Sequence, residues 1–146
     1  MKALSSGTLV ALSSLAAVAF AQDSYLCVPV KSTGFEFLNG AWEVANFSID
    51  QERFILRRSR EGEGHLDAEW VIFAQVNESI VLATCPTDFS SSGLLSCESS
   101  RVRWRFNRQT LRFQYWYYGG YTFGDDQLNG PSMAIGDCSP LQEELD

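Results

Sequence analysis

Histidine is nearly absent from this chain, in which His65 is the only one. A Ser-His-Asp or Cys-His arrangement would therefore depend on a residue in a charged, glycine-containing stretch, and no serine has the context of an activated nucleophile. The pair Asp125-Asp126 is also unsuited to glycoside hydrolysis, because adjacent side chains in a strand diverge whereas catalytic carboxyls face each other. The sequence predicts no catalytic residue, and a hydrolase that uses His65 or loop carboxylates is kept only as an alternative.

The lack of a second histidine also weighs against a metal site. Acidic residues and His65 occupy every second position between residues 61 and 69, so an extended backbone would place them on one face. Gly62 and Gly64 interrupt this string, and no calcium-loop spacing is present, which is typical of a solvated loop. We predict no metal and no cofactor; the residues that would ligate a metal are Glu61, Glu63, His65, Asp67 and Glu69.

Long apolar runs are missing except at the start of the chain. Met1-Lys2 is basic, the stretch from Leu4 to Phe20 is mostly apolar, and Ala19-Phe20-Ala21 has the small-x-small pattern of a cleavage site. This pattern predicts a signal peptide over residues 1–21 and a secreted or periplasmic protein. Residues 22–146 have the length of one domain, and no later segment reaches the roughly 18 apolar residues of a membrane span.

Basic residues are scarce relative to acidic ones. The formal charge is -7, with 11 Lys and Arg against 18 Asp and Glu, and loss of Lys2 with the signal makes it -8. This balance disfavours nucleic acid as a partner. Five arginines nevertheless share one stretch without an acid, where they either orient an acidic partner or pair within the fold: Arg101, Arg103, Arg105, Arg108 and Arg112.

Four cysteines are present, at positions 27, 85, 97 and 138. In an exported chain they are expected to form two disulfides. We expect Cys85 to bond Cys97 across a short loop and Cys27 to bond Cys138 near the two ends of the domain, and the two other pairings stay open.

A helical stripe is absent, and period-two alternation predicts strands along most of the chain. We expect strands at 42–49 and 53–56 joined by a turn at Asp50-Gln51, and strands at 69–76 and 79–85 joined at Asn77-Glu78. Ser-rich residues 87–93 and the segment 124–136 are expected to be loops. Short strands with tight turns predict an all-β fold, a single antiparallel barrel or sandwich of meander topology.

The clearest pattern is at residues 101–117. Val102, Trp104 and Phe106 alternate with arginines, and a second alternating run follows a turn at residues 107–110. This predicts a hairpin with an apolar face inward and an arginine-bearing face outward.

The aromatic run at 115–118 gives the main functional signal. If Tyr115 and Tyr117 face the core, Trp116 and Tyr118 face the opposite way, unless a second layer covers them. Exposed aromatic rings beside arginine bind sugars by stacking or anchor a protein partner. The candidate ligand-binding residues are Trp116, Tyr118, Tyr121 and Arg112.

Short matches along the domain resemble a family of small exported, mainly bacterial, disulfide-containing proteins without an assigned activity. They include Gly34-Phe35-Glu36-Phe37, the Cys85 and Cys97 pair, Leu111-Arg112-Phe113 and Gly136-Asp137-Cys138. This resemblance implies export and disulfides but no ligand. Gly40-Ala41-Trp42 also resembles the Gly-x-Trp of lipocalins, and exported lysozyme inhibitors are similar in architecture.

The sequence thus predicts an exported binding module that recognises a protein or a glycan. A barrel that carries an apolar small molecule is the alternative, followed by a hydrolase or a hydrolase inhibitor. Asn46 and Asn77 match the glycosylation pattern, which matters only on a eukaryotic secretory route.

Overall fold

The computed structural model describes residues 24–60, 67–75, 77–124 and 130–141. Within these ranges the chain forms nine β-strands, one 3-10 turn at Tyr121–Phe123 and no α-helix, which confirms the expected all-β class. The strands are β1 (Ser24–Leu38), β2 (Ala41–Asn46), β3 (Phe54–Arg58), β4 (Trp70–Ala74), β5 (Asn77–Cys85), β6 (Leu94–Glu98), β7 (Val102–Asn107), β8 (Arg112–Tyr117) and β9 (Ser132–Pro140).

Pairing between the first and last strands closes the sheet into an antiparallel barrel. From β3 to β9 each strand pairs with the next, and β9 pairs with β1 from Tyr25 to Gly34. Closure leaves these strands without free edges. The structure therefore selects the barrel over the sandwich.

Strand β1 has a different neighbour along each half of one edge. Its start, Ser24–Cys27, pairs with β3, and its end, Thr33–Leu38, pairs with β2. Since Cys27 and Thr33 both also pair with β9, β2 and β3 lie on the same edge of β1. A bulge between Pro29 and Lys31 changes the alternation of β1, so that a different set of positions faces the barrel interior after the bulge.

The β1–β2 hairpin extends beyond β9. Its turn is Asn39-Gly40, where both residues have positive φ values of 52° and 86°. Such values are characteristic of the type I′ turn, whose twist matches that of paired strands. We call residues 35–44 the arm.

Large side chains pack the core of the barrel. The largest fully buried ones are Trp70, Trp104, Phe106, Leu56, Ile72 and Leu95. The expected β7–β8 hairpin is confirmed, because Trp104 and Phe106 are buried while Arg101, Arg103 and Arg105 are exposed. Close packing of this kind makes the core sensitive to loss of single side chains.

One end of the barrel is closed by Phe89 from the β5–β6 loop. Its ring packs edge-on against Trp70 and Phe106, at centroid distances of 5.0 and 5.9 Å. Asp88 holds the loop, because its Oδ1 accepts hydrogen bonds from Trp70 Nε1 and the Phe89 amide, and its Oδ2 accepts one from Arg58. These bonds, the Arg58 bond first, lower the pKa of Asp88 to about 2.

Both expected disulfides are present. Cys27 and Cys138 are directly opposed across β1 and β9, and Cys85 bonds Cys97 between β5 and β6. The two bonds are compatible with an oxidising location outside the cytoplasm.

Three local expectations were wrong. The first expected strand ends at Asn46 rather than at residue 49, and although the turn at Asp50-Gln51 is present, β3 pairs with β1 and β4 rather than with β2. The β4–β5 hairpin exists, but β5 already begins at Asn77. Part of the expected loop at 124–136 belongs to β9, which begins at Ser132 because it completes the barrel between β8 and β1.

Several predictions lie outside the described residues: the signal peptide over residues 1–21, the carboxylates Glu61 and Glu63, His65, and the pair Asp125-Asp126. Asp67 and Glu69 are described and exposed, and Glu69 pairs with Arg58. The described part of the chain contains no group of potential metal ligands. It also contains no helix that is long and apolar enough to cross a membrane.

Candidate functional site

The residues proposed from the sequence lie on the outer surface of the barrel. Trp116 and Arg112 face outward from β8, separated by Gln114, and Trp116 is half-buried. Tyr118 is exposed beyond the end of β8, and its hydroxyl donates to the Ser99 carbonyl at 2.9 Å. The predicted outward orientation of Trp116 and Tyr118 therefore agrees with the structure.

Tyr121 lies apart from these three, against the arm. Its ring is 63% exposed and packs edge-on against Trp42 at a centroid distance of 5.4 Å. Trp42 in turn packs against Phe37, its cross-strand partner in the hairpin. The four candidate residues thus spread from the β6–β7 turn to the arm.

Apolar side chains that sequence reasoning missed fill the surface between these points. Trp116 is opposed by Met133 of β9, and Gln114 by Ile135. Directly opposed residues of an antiparallel pair share a face, so Met133 and Ile135 also point outward. We name as the outer apolar face the residues Val30, Phe35, Val44, Trp116, Met133 and Ile135.

The arm contributes the most exposed part of this face. Phe35 and Val44 are cross-strand partners and are 48% and 76% exposed. They share their side of the hairpin with Phe37 and Trp42 and continue the outside of the barrel, because Ser32 and Ala45 on the other side are buried. The Asn-Gly turn between two apolar runs was the sequence signal for this hairpin.

Arginines border the outer apolar face. Arg105 and Arg112 are exposed on β7 and β8, and neither forms an ion pair with any residue that the structure describes. Arg103, next to Trp116 across the strands, pairs with Glu98 at 3.3 Å. The arginine stretch thus contains two exposed side chains, Arg105 and Arg112, that form no ion pair within the described part of the chain.

A second site lies inside the barrel, at the end opposite Phe89. There a cleft of about 600 Å³ opens where β8 ends and β3, β7 and β9 begin. We call it the mouth cleft. Its walls are mainly rings and aliphatic chains: Phe47, Phe54, Leu82, Val102, Trp104, Tyr115 and Tyr117.

Aromatic stacking fixes the floor of the mouth cleft. The Trp104 indole stacks nearly parallel on Phe113 and Tyr115, at centroid distances of 4.5 and 5.5 Å. Phe54 meets Trp104 edge-on at 4.9 Å. The rings restrain one another, so the position of the Trp104 N–H is set by packing.

Two residues that line the mouth cleft each have a buried polar atom without a hydrogen-bond partner in the described part of the chain. The atoms are Trp104 Nε1, a donor, and Glu52 Oε2, an acceptor. Such groups are rare, because leaving one unsatisfied costs on the order of 1–3 kcal/mol. The two unsatisfied atoms therefore lower the free energy of unfolding at this place in the fold.

The loop 47–53 places Glu52 at the cleft. Its backbone turns between Ile49 and Glu52, whose amide donates to the Ile49 carbonyl at 3.1 Å, and Phe47 bonds back to Ser32 of β1. Glu52 stands two residues before the inward-facing Phe54, which is the sequence signal for an inward acid. Its burial was not predictable locally, because it depends on the barrel wall around it.

Burial raises the pKa of Glu52 above its usual value. Burial also raises the pKa of Tyr115 to about 12, and the negative charge of Glu52 adds to that rise. The Tyr115 phenol therefore stays protonated at neutral pH beside the Glu52 carboxyl.

The fold and these sites define a disulfide-bonded, eight-stranded barrel with an aromatic arm and a mouth cleft. Comparison of the chain with protein-family models, curated proteins and solved structures finds no match. The family resemblance therefore stays a prediction, and the outer apolar face and the mouth cleft are the features that bear on function.

Proposed function

We propose that this protein is an exported binding module that recognises a protein partner through the outer apolar face and its arginine border. The observation that carries the proposal is the set of exposed apolar side chains that continues from β8 and β9 onto the arm. Contiguous exposed apolar surface of this kind is characteristic of interaction sites.

The composition of the face favours a protein over a glycan. Sugar rings stack on flat aromatic surfaces, whereas Val44, Met133 and Ile135 offer no such plane. Aliphatic chains around Phe35 and Trp116 suit the apolar side chains that form the buried centre of protein interfaces.

The arginine border favours a partner with acidic residues around an apolar centre. Arg105 and Arg112 are free to form bidentate pairs with carboxylates at the rim of such an interface. Charges at a rim mainly increase the association rate and define orientation. Association should therefore slow as ionic strength rises.

The test uses the oxidised mature protein as bait in the native extracellular medium, with captured proteins quantified by mass spectrometry. Phe35→Asp places a charge in the exposed arm and should reduce capture of a specific protein at least tenfold, the loss typical of an interface anchor. The matched control is Ile80→Asp, because Ile80 is equally exposed but lies on β5. The Ile80→Asp variant should capture the same protein in the same amount as the native protein does.

Three results would contradict the proposal. Equal loss with Ile80→Asp would show that any added acid disturbs capture. Retention of a glycan on an array, abolished by Phe35→Asp, would identify a sugar as the ligand instead. Self-association of the purified protein through the same face, seen by sedimentation, would make a second copy the occupant.

Export is part of the same proposal. The basic start, the apolar stretch and Ala19-Phe20-Ala21 support cleavage after Ala21 and release outside the cytoplasm or into the periplasm. Sequencing of the mature N-terminus should give Gln22, and a mature chain that begins at Met1 would overturn it. Inhibition of a hydrolase would be one form of the proposed protein recognition.

A further inference from the structure

The mouth cleft is a second binding site, separate from the outer apolar face. It lies on the inner side of β7 and β8, whereas Trp116 and Arg112 lie on the outer side of the same hairpin. Its volume of about 600 Å³ falls in the range of sites for drug-sized molecules. Binding there is independent of the function proposed above.

The walls indicate a ligand with an apolar body. Phe47, Phe54 and Tyr117 present rings, and Leu82 and Val102 present aliphatic chains. Polar side chains line the same cleft, at Ser32, Ser48, Gln51, Glu52, Arg53 and Ser132. Polar groups that converge on an apolar pocket are typical of sites that fix the orientation of one small molecule.

The two unsatisfied atoms indicate the polar group of that ligand. Trp104 Nε1 requires an acceptor and Glu52 Oε2 requires a donor. An ammonium group cannot accept, and an ether or ketone cannot donate. A hydroxyl both accepts and donates, so its hydrogen-bonding capacity matches the two buried groups.

We propose that the mouth cleft binds a small apolar alcohol or phenol, whose hydroxyl accepts from Trp104 and donates to Glu52. Both protein atoms are shielded from solvent, so the side chains that cover them must move to admit the hydroxyl. Glu52 belongs to the irregular loop 47–53, which allows this movement, whereas Trp104 is held by ring stacking.

The test compares three probes of nearly one shape: 2-naphthol, 2-methoxynaphthalene and 2-methylnaphthalene. Titration of the ¹⁵N-labelled mature protein is followed at the tryptophan indole resonances, and Trp104→Phe assigns the relevant one. 2-Naphthol should bind about tenfold more tightly than the methoxy compound, because only it donates to the carboxylate. It should also shift the Trp104 resonance more than those of Trp42 and Trp116.

Glu52→Gln is the decisive variant, because it keeps an acceptor and the side-chain shape but removes the charge. It should reduce the preference for 2-naphthol several-fold, since hydrogen bonds to an ionised acceptor are about twice as strong as neutral ones. Glu43→Gln, on the exposed arm, and Phe35→Asp, on the outer apolar face, should both leave it unchanged. The second control separates failure here from failure of the proposed protein recognition.

Equal affinity for all three probes would overturn the proposal, because the cleft would then recognise apolar shape alone. An undiminished preference in Glu52→Gln would also overturn it and indicate that Glu52 and Trp104 bond each other in solution. Resonance shifts confined to the outer apolar face would place the probe elsewhere.

Discussion

At the scale of the residue, Glu52 links the mouth cleft to the pH dependence of stability. Burial raises the pKa of Glu52 in the folded state. At pH values between the pKa of the unfolded state and that of the folded state, the folded protein therefore keeps a proton that the unfolded chain has released. The stabilisation from this proton is fully present below the unfolded pKa near 4.5 and is lost as pH rises through the folded value. A buried carboxylate is thus a stability cost at neutral pH.

We predict that Glu52→Gln flattens this part of the stability profile. Relative to the native protein, the variant should gain stability as pH is raised above about 4.5, and thermal unfolding from pH 4 to 8 measures the difference. Glu43→Gln, with an exposed side chain, is the control and should follow the native protein. A constant difference between Glu52→Gln and the native protein at every pH would show that Glu52 is solvated.

At the scale of the element, the β7–β8 hairpin has a core-facing side that stabilises the fold and an outer side that belongs to the proposed recognition surface. Trp104 faces inward at 1% exposure, and Trp116 faces outward on the neighbouring strand. We predict that Trp104→Ala lowers the free energy of unfolding by about 3–5 kcal/mol, as is typical of a buried aromatic residue. Trp116→Ala should cost less than half as much and reduce capture of the proposed partner.

Denaturant unfolding of the two variants, in parallel with the capture assay, measures both effects. Similar free energies of unfolding for the two would mean that the hairpin faces are assigned wrongly. If the Trp116→Ala variant unfolds, the Trp116 ring is needed for packing. The outer apolar face would then lose its main candidate for an aromatic anchor.

At the scale of the whole molecule, the two disulfides constrain the unfolded chain to different extents. Cys27–Cys138 spans 111 residues and Cys85–Cys97 spans 12. In the chain-entropy model, loops of about 100 and 15 residues correspond to roughly 4.7 and 3 kcal/mol. We predict that the double variant Cys27→Ala, Cys138→Ala is the less stable of the two cysteine-pair deletions.

Denaturant titration of both double variants tests the order. The short-loop variant, Cys85→Ala with Cys97→Ala, serves as the matched control, because both pairs are buried in the same core. The reverse order would show that local packing around Cys85 and Cys97 outweighs the entropy of closing the chain.

Local alternation specified the β7–β8 hairpin in the sequence. Both strands of the hairpin and its turn lie within a few residues, so the pattern of Val102, Trp104 and Phe106 specifies pairing and face together. Strand β1 lacks a continuous alternation of apolar and polar residues. The bulge near Val30 changes which positions face inward, and Pro29 is unusual inside a strand. The inward-facing Ser32 after the bulge therefore could not be read as a continuation of Cys27.

The sequence by itself determined an all-β chain, two disulfides and an outward-facing Trp116, because each follows from local alternation or from the pairing expected of cysteines in a chain with a predicted signal peptide. Only the tertiary structure decided that β9 closes onto β1, since that pairing joins residues 98 to 115 positions apart. The same closure pairs Thr33 with Met133, which joins the arm to the part of the outer apolar face on β8 and β9, and it brings Ser32 of β1 and Ser132 of β9 to the mouth cleft. Both candidate sites are therefore products of long-range pairing, which no local pattern encodes.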